Sequence, residues 1–231
     1  MKAGALSLQP MAWILNLETA STNCSVALYE GSQLRALRED PSPGYSHGEL
    51  LHVFIQEVLS EAGVGADALD AIAVSKGPGS YTGLRIGVAS AKGLCFSLEV
   101  PLIALPTLKV LAAAAGIKEG LSIPMLDARR MEVYSAVLNT ELEYVRETEA
   151  EILTPDSFAA YKDQGPLTLV GSGAEKAREL LSDPVFRFQP EIQPSARFMG
   201  PMAYAAFEAG SFEDLAYFEP YYLKDFIATR K

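Results

Sequence analysis

Cations are scarce in these 231 residues: 19 Lys and Arg stand against 29 Asp and Glu, a formal net charge of -10. That field repels phosphate backbones, which excludes a stand-alone nucleic-acid binder and makes any contact with RNA indirect, through a partner that supplies basic surface. Cysteine is limited to Cys24 and Cys95, with no Cys-x-x-Cys or Cys-plus-His spacing, which excludes a disulfide scaffold and a thiolate zinc site and suits a reducing cytoplasm. The two histidines, His47 and His52, bracket Glu49 as His-x-Glu-x-x-His rather than His-Glu-x-x-His. On a helix, positions five apart point about 140° away from each other, so these imidazoles do not share one metal ion. No apolar run approaches the ~20 residues of a membrane span. Near the start, Ala3 to Leu8 is cut short by Gln9-Pro10 before reaching the length of a signal core, and residues 1–12 read as an N-terminal extension with Met11 an alternative start. Ser21, Ser25 and Ser80 have no His-Asp pair nearby, which leaves a serine nucleophile unsupported.

What is present is an α/β pattern that occurs twice. Trp13–Glu18, Cys24–Tyr29 and Gln33–Arg38 read as three antiparallel strands, followed by a helix from His47 to Ala62, a strand Ala71–Ser75, a glycine run, a helix to Leu98 and a strand Val100–Ala104. The order returns as Ser122–Asp127, Glu132–Leu138, Glu143–Glu147, a helix near Pro155–Tyr161, a strand Leu167–Val170, the turn Gly171-Ser172-Gly173 and a helix from Ala174 to Leu181. A period of about 105 residues means a pair of α/β units, 13–105 and 106–231, rather than a solenoid. Met199–Ala209 reads as a last helix, and the aromatic tail Tyr217–Phe226 is expected to dock on the body.

Each copy opens on a strand that ends in an acid, Glu18 or Asp127. A duplicated mixed-sheet unit with this layout is that of the actin-like, ribonuclease-H-like ATPase fold, where the first hairpin of each half faces a nucleotide in the cleft; a shared fold assigns no activity. In that frame Glu18, Thr19, Asp127, Arg129, Gly171 and Gly173 form a vestigial nucleotide cleft. Against retained function, Thr19-Ala20-Ser21-Thr22 offers no glycine for close phosphate approach, and Asp127 with Arg129 also suits a local turn ion pair.

The run Gly77-Pro78-Gly79-Ser80-Tyr81-Thr82-Gly83-Leu84-Arg85-Ile86-Gly87 suggests a phosphate cradle, but Gly83 is followed by Leu84-Arg85 where a Walker loop needs Lys and a hydroxyl. Its place after the fourth strand also disagrees with a dinucleotide fingerprint, which leaves a tight strand-to-helix turn with its glycines at positive φ. The helix that follows carries small residues at Gly83, Gly87, Ala91 and Cys95, flanked by Leu84 and Val88, and must be covered on two sides. One cover is the sheet; the other is a helix of this chain or another subunit. A bulky residue at Gly87 is expected to abolish such pairing.

Leu15-Asn16-Leu17-Glu18-Thr19 with Cys24 to Leu28, His47-Gly48-Glu49-Leu50-Leu51, the whole Gly77–Gly87 run, Asp127-Ala128-Arg129 with Glu132-Val133-Tyr134, and Pro220-Tyr221-Tyr222-Leu223 together resemble the TsaB family, over about residues 13 to 223. The resemblance implies a non-catalytic, dimer-forming subunit in the cytoplasmic machinery that makes threonylcarbamoyladenosine at position 37 of tRNA. It implies pairing with a TsaD-like subunit that holds the metal and transfers the group, a TsaE-like ATPase in the same complex, and a homodimer in isolation. It also implies pairing through the two helices of the first half, hence through His47, Leu50, Leu51, Gly83, Leu84, Gly87, Val88, Ala91 and Cys95. No cofactor is expected in the isolated chain, with ATP or ADP and Mg confined to the assembled complex. Family members commonly carry Asp where this chain has Glu18, and Phe where it has Tyr81. The competing reading is an autonomous ATP-dependent small-molecule kinase of the same fold or, ranked last, a peptidase.

Overall fold

The computed structural model describes residues 11–42 and 47–223. Two five-stranded mixed sheets carry the same topology. In the first, β1 (Trp13–Glu18), β2 (Cys24–Glu30), β3 (Gln33–Asp40), β4 (Ala71–Gly77) and β5 (Leu102–Pro106) lie in the order β3-β2-β1-β4-β5. In the second, β6 (Leu121–Asp127), β7 (Glu132–Leu138), β8 (Tyr144–Ile152), β9 (Leu167–Val170) and β10 (Phe186–Gln189) lie in the order β10-β9-β6-β7-β8. In both, the three leading strands are antiparallel and the last two join in parallel. The duplication expected from the sequence is therefore a duplication of strand pairing, and the fold is the actin-like α/β fold.

Burial explains which strands are central. β1, β2, β4, β6 and β9 are buried on both faces because both faces are covered. The edge strands β3 and β8 interleave charge, as in Arg146, Glu147, Glu149 and Glu151, which keeps those edges from pairing with other chains. On the outer face of the first sheet, Leu15, Leu17, Val26, Ile72 and Val74 pack against α1 (His47–Ala62) and α2 (Tyr81–Leu98). On the second, Ile123, Met125 and Leu169 meet Ala174, Ala177 and Leu181 in and just after α4 (Ala174–Leu180).

Two further helices cover the inner faces of the sheets, one touching both sheets and the other the first. α3 (Thr107–Ala115) leaves the first sheet, yet its Leu108, Leu111 and Ala112 pack on Leu126, Ala136 and Val170 of the second. α5 (Gly200–Glu208) follows the second sheet, yet Met199 and Ala203 pack on Ile14, Ala27 and Ile103 of the first. From there the chain stays on the first half: Glu213 bridges to Leu102, and Tyr221 N–H donates to Lys76 O at 2.7 Å. A boundary at residue 105 divides the sequence, while in space α5 and residues 211–223 belong with the first sheet.

The helix expected at Pro155–Tyr161 is a short 3-10 helix, Ala159–Gln164, entered through Phe158 at φ 62°. α3 and β10 have no counterpart in the sequence reading. α3 is only nine residues long and rich in Ala, and β10 is only four residues long. No helix among the described residues is long and apolar enough to cross a membrane. The aromatic tail docks through residue 223; its last part lies outside the described residues, as do residues 1–10.

Candidate functional site

The turn after β1 ties the first half together. Ala20 O accepts from Ser80 N at 2.7 Å, Thr19 Oγ1 donates to Gly83 O at 2.8 Å, and His47 Nε2 donates to Ser21 O at 2.8 Å. Residues 19–21 thus hold the first turns of both α1 and α2. Ser80 caps α2 in turn, its hydroxyl accepting from Gly83 N at 3.3 Å.

This arrangement overturns the reading of the small-residue ridge. A side chain on Gly83 would drive into Thr19 O and one on Gly87 into Thr19 Oγ1, so both positions are small because the turn of their own subunit lies against them. Leu84, Val88, Ala91 and Cys95 are buried in the same sense, as are His47 and Leu51, while Leu50 is half-buried against that core. The sequence-predicted interface residues are, with that half exception, the inward face of the helix pair. Nor are the glycines of the run mainly about positive φ: Gly77 adopts it at φ +112°, whereas Gly79, Gly83 and Gly87 serve close approach.

Glu18 faces inward between the sheets and is fully buried. One carboxylate oxygen accepts from Ala20 N at 2.6 Å and the other takes the Ser75 hydroxyl. Burial pushes its pKa up from 4.5 to about 7, with those hydrogen bonds pulling back only in part. Thr19 is fully buried as well. A carboxylate with both oxygens taken and no exposed face does not meet Mg or phosphate.

In the second half, Asp127 is exposed, and its ion partner is Lys176 of α4, Nζ to Oδ1 at 2.6 Å, rather than the Arg129 guanidinium. Arg129 contributes its backbone N–H, 2.6 Å from the same oxygen, and stands with Arg130 at φ 70° and 52° in a tight hairpin tip. Lys176 Nζ also donates to Glu132 O at 3.2 Å and to Arg130 O, so an ammonium sits where a cation cofactor would need an open acid. Gly171 and Gly173 are accounted for by packing against Leu111, Met125 and Val133. The six residues of the expected cleft therefore do not fit a Mg-nucleotide.

The outward face of the helix pair is different. Phe96 is 80% exposed and Val53 44%, with Ala89 and Gly93 exposed on the same helix as Phe96. Among the described residues, a Cβ added at Gly48 or Gly93 would meet nothing within 4 Å. His52 is also on this side, 3.4 Å from Ser90 Oγ, and points away from buried His47. Phe96 falls outside both apolar stripes read from the sequence, and an aromatic on the polar side of a helix was the available signal.

The family model described as TsaD, tRNA N6-adenosine threonylcarbamoyltransferase, matches residues 44–224. A tRNA threonylcarbamoyladenosine biosynthesis protein TsaB of Escherichia coli (strain K12) is 32% identical over 227 residues, 94% of this chain and 97% of that one. The chain belongs to the TsaB family. The solved structure of YeaZ from Pseudomonas aeruginosa matches with a TM-score of 0.80 at 28% identity, covering 92% of this chain and all of that one. A tRNA N6-adenosine threonylcarbamoyltransferase of Nitratidesulfovibrio vulgaris (strain DP4) is 40% identical over 80 residues, 35% of this chain and only 22% of that protein. As a TsaB-family chain, this is a protein of tRNA threonylcarbamoyladenosine biosynthesis with the fold of the transferase family.

Proposed function

We propose that this chain is the non-catalytic subunit of the tRNA threonylcarbamoyladenosine complex, a scaffold that supports a TsaD-type transferase. The observation that carries this reading is the sealed tip of β1: Glu18 is fully buried, and its oxygens are spent on Ser75 and Ala20. The position that would bring an acid to Mg and phosphate in an autonomous kinase is instead a structural core, which removes the main support for that alternative. ATP or ADP with Mg then belongs to the assembled complex, in sites completed by the partner and by a TsaE-type ATPase. The tRNA contact is indirect, as a net charge of -10 favours. A cytoplasmic location and a homodimer in isolation complete the reading.

Pairing uses the outward face of α1 and α2, with Val53 on one helix and Phe96 on the other, in place of the inward ridge. Apolar side chains this exposed gain most when a partner covers them. Size-exclusion chromatography and a tRNA modification assay with the purified TsaD-type partner test both parts. Phe96→Asp is expected to abolish the pair while leaving Tm unchanged. Full modification by the transferase with this chain omitted would sink the scaffold reading.

A further inference from the structure

We propose that the C-terminal strap, residues 211–223, is a second half of the pairing surface, and that it receives a basic segment of the transferase-type partner rather than a second copy of this chain. The inference rests on the pairing role just described and adds to it where the partner binds and by what chemistry.

The strap continues the layer formed by the two helices. α1 packs over β2 and β3, α2 mainly over β4, and the strap runs along β5 through the Glu213–Leu102 bridge. It is fastened inward: Leu215 and Phe218 join the core beneath α1 and α2, and Lys92 Nζ donates to Ala216 O at 3.3 Å and to Phe218 O at 3.0 Å. At its far end the Tyr222 ring packs on Tyr81, tilted by 39° with centroids 5.0 Å apart. These anchors leave Tyr217, between the two carbonyls that hold Lys92, at 85% exposure. Phe96, one turn beyond Lys92 on α2, therefore stands on the strap side of the helix. Two aromatics of this size, held outward by fixed backbone on neighbouring elements, form an anchor for a partner with little left to order on binding.

Charge decides the occupant. Beside Tyr217 a shallow groove of 640 Å³ is lined by Asp214, Glu219, Tyr221 and Tyr222, with Lys76 at one side. The lining sets three acids, Glu213, Asp214 and Glu219, against the single cation Lys76, and Asp214 and Glu219 are exposed. A second copy meeting this surface face to face would set acid against acid. Lys or Arg side chains gain an ion pair with Asp214 or Glu219 and a cation–π contact with the tyrosines.

The test measures affinity of the full chain for the purified TsaD-type partner by calorimetry, with self-association followed by analytical ultracentrifugation. Tyr217→Ala is expected to weaken the heteropair roughly 30-fold, and self-association to stay unchanged. The double variant Asp214→Asn, Glu219→Gln keeps the turn that Asp214 caps and is expected to flatten the salt dependence of heteropair affinity. Heteropair affinity within twofold of the parent for Tyr217→Ala, alongside its loss in Phe96→Asp, overturns the strap while sparing the helix face. Intact pairing in Phe96→Asp overturns the helix face itself. Self-association weakened as much as the heteropair overturns the choice of occupant.

Discussion

Replacing Glu18 by Gln probes the sealed tip of β1 directly. In the unfolded chain this carboxyl ionises near 4.5, and in the folded protein near 7, because burial removes the water that stabilises its charge. Between those values the folded state holds a proton that the unfolded state has released, so stability falls as pH rises from about 4.5 to about 7 and is flat above. One pKa unit is about 1.4 kcal/mol, so the full cost of ionising Glu18 in place is about 3 kcal/mol. Gln is neutral throughout, accepts from Ala20 N as before, and still bonds the Ser75 hydroxyl. Urea unfolding of both proteins from about pH 5 to about pH 8 reads the effect as a difference. The variant is expected to gain about 2 to 3 kcal/mol relative to the parent across that range. His47, pushed down by burial, acts in the opposite sense, losing stability as pH falls below its ordinary value, but it is common to both proteins and cancels. Parallel curves for parent and variant would refute the argument, since they would mean that Glu18 ionises inside as it does in water.

Gly87→Leu is expected to destabilise the subunit by about 1 to 3 kcal/mol through collision with Thr19, read as a lower Tm in the isolated chain at any protein concentration. An unchanged Tm with lost pairing would return that face to the interface. Lys92→Ala removes two hydrogen bonds that hold the strap, so limited proteolysis should cut within residues 211–223 faster than in the parent while the rest of the chain resists. Equal cleavage rates would mean that Leu215 and Phe218 suffice as anchors.

The strands were legible because their burial leaves a local trace. The apolar runs of β1, β2 and β4, and the charged alternation of β3, follow from being central or at an edge, and the repeated order exposed the duplication. α3 was not legible, since nine residues rich in Ala, with Lys109 the one charged side chain, are too short a stretch for a period to stand out. The candidate residues were divided between two sites, Glu18 and Thr19 in a nucleotide cleft and His47, Gly83 and Gly87 in an interface. Glu18, Thr19, Gly83, Gly87 and His47 do form one cluster, but the cluster is the clamp between the first turn and the helix starts.

By itself the sequence determined the duplicated α/β order, the strand centres, the acidic field and the family. Tertiary structure alone decided what covers the small-residue ridge of α2, since such a ridge suits a turn of its own chain, another helix or another subunit equally. It also decided that the strap returns to cover β5, and that Glu18 is sealed rather than presented. The physical reason is the same in each case. Periodicity records that a face is buried, but the identity of what buries it depends on contacts between residues such as Thr19 and Gly83, or Lys92 and Phe218, that are far apart along the chain.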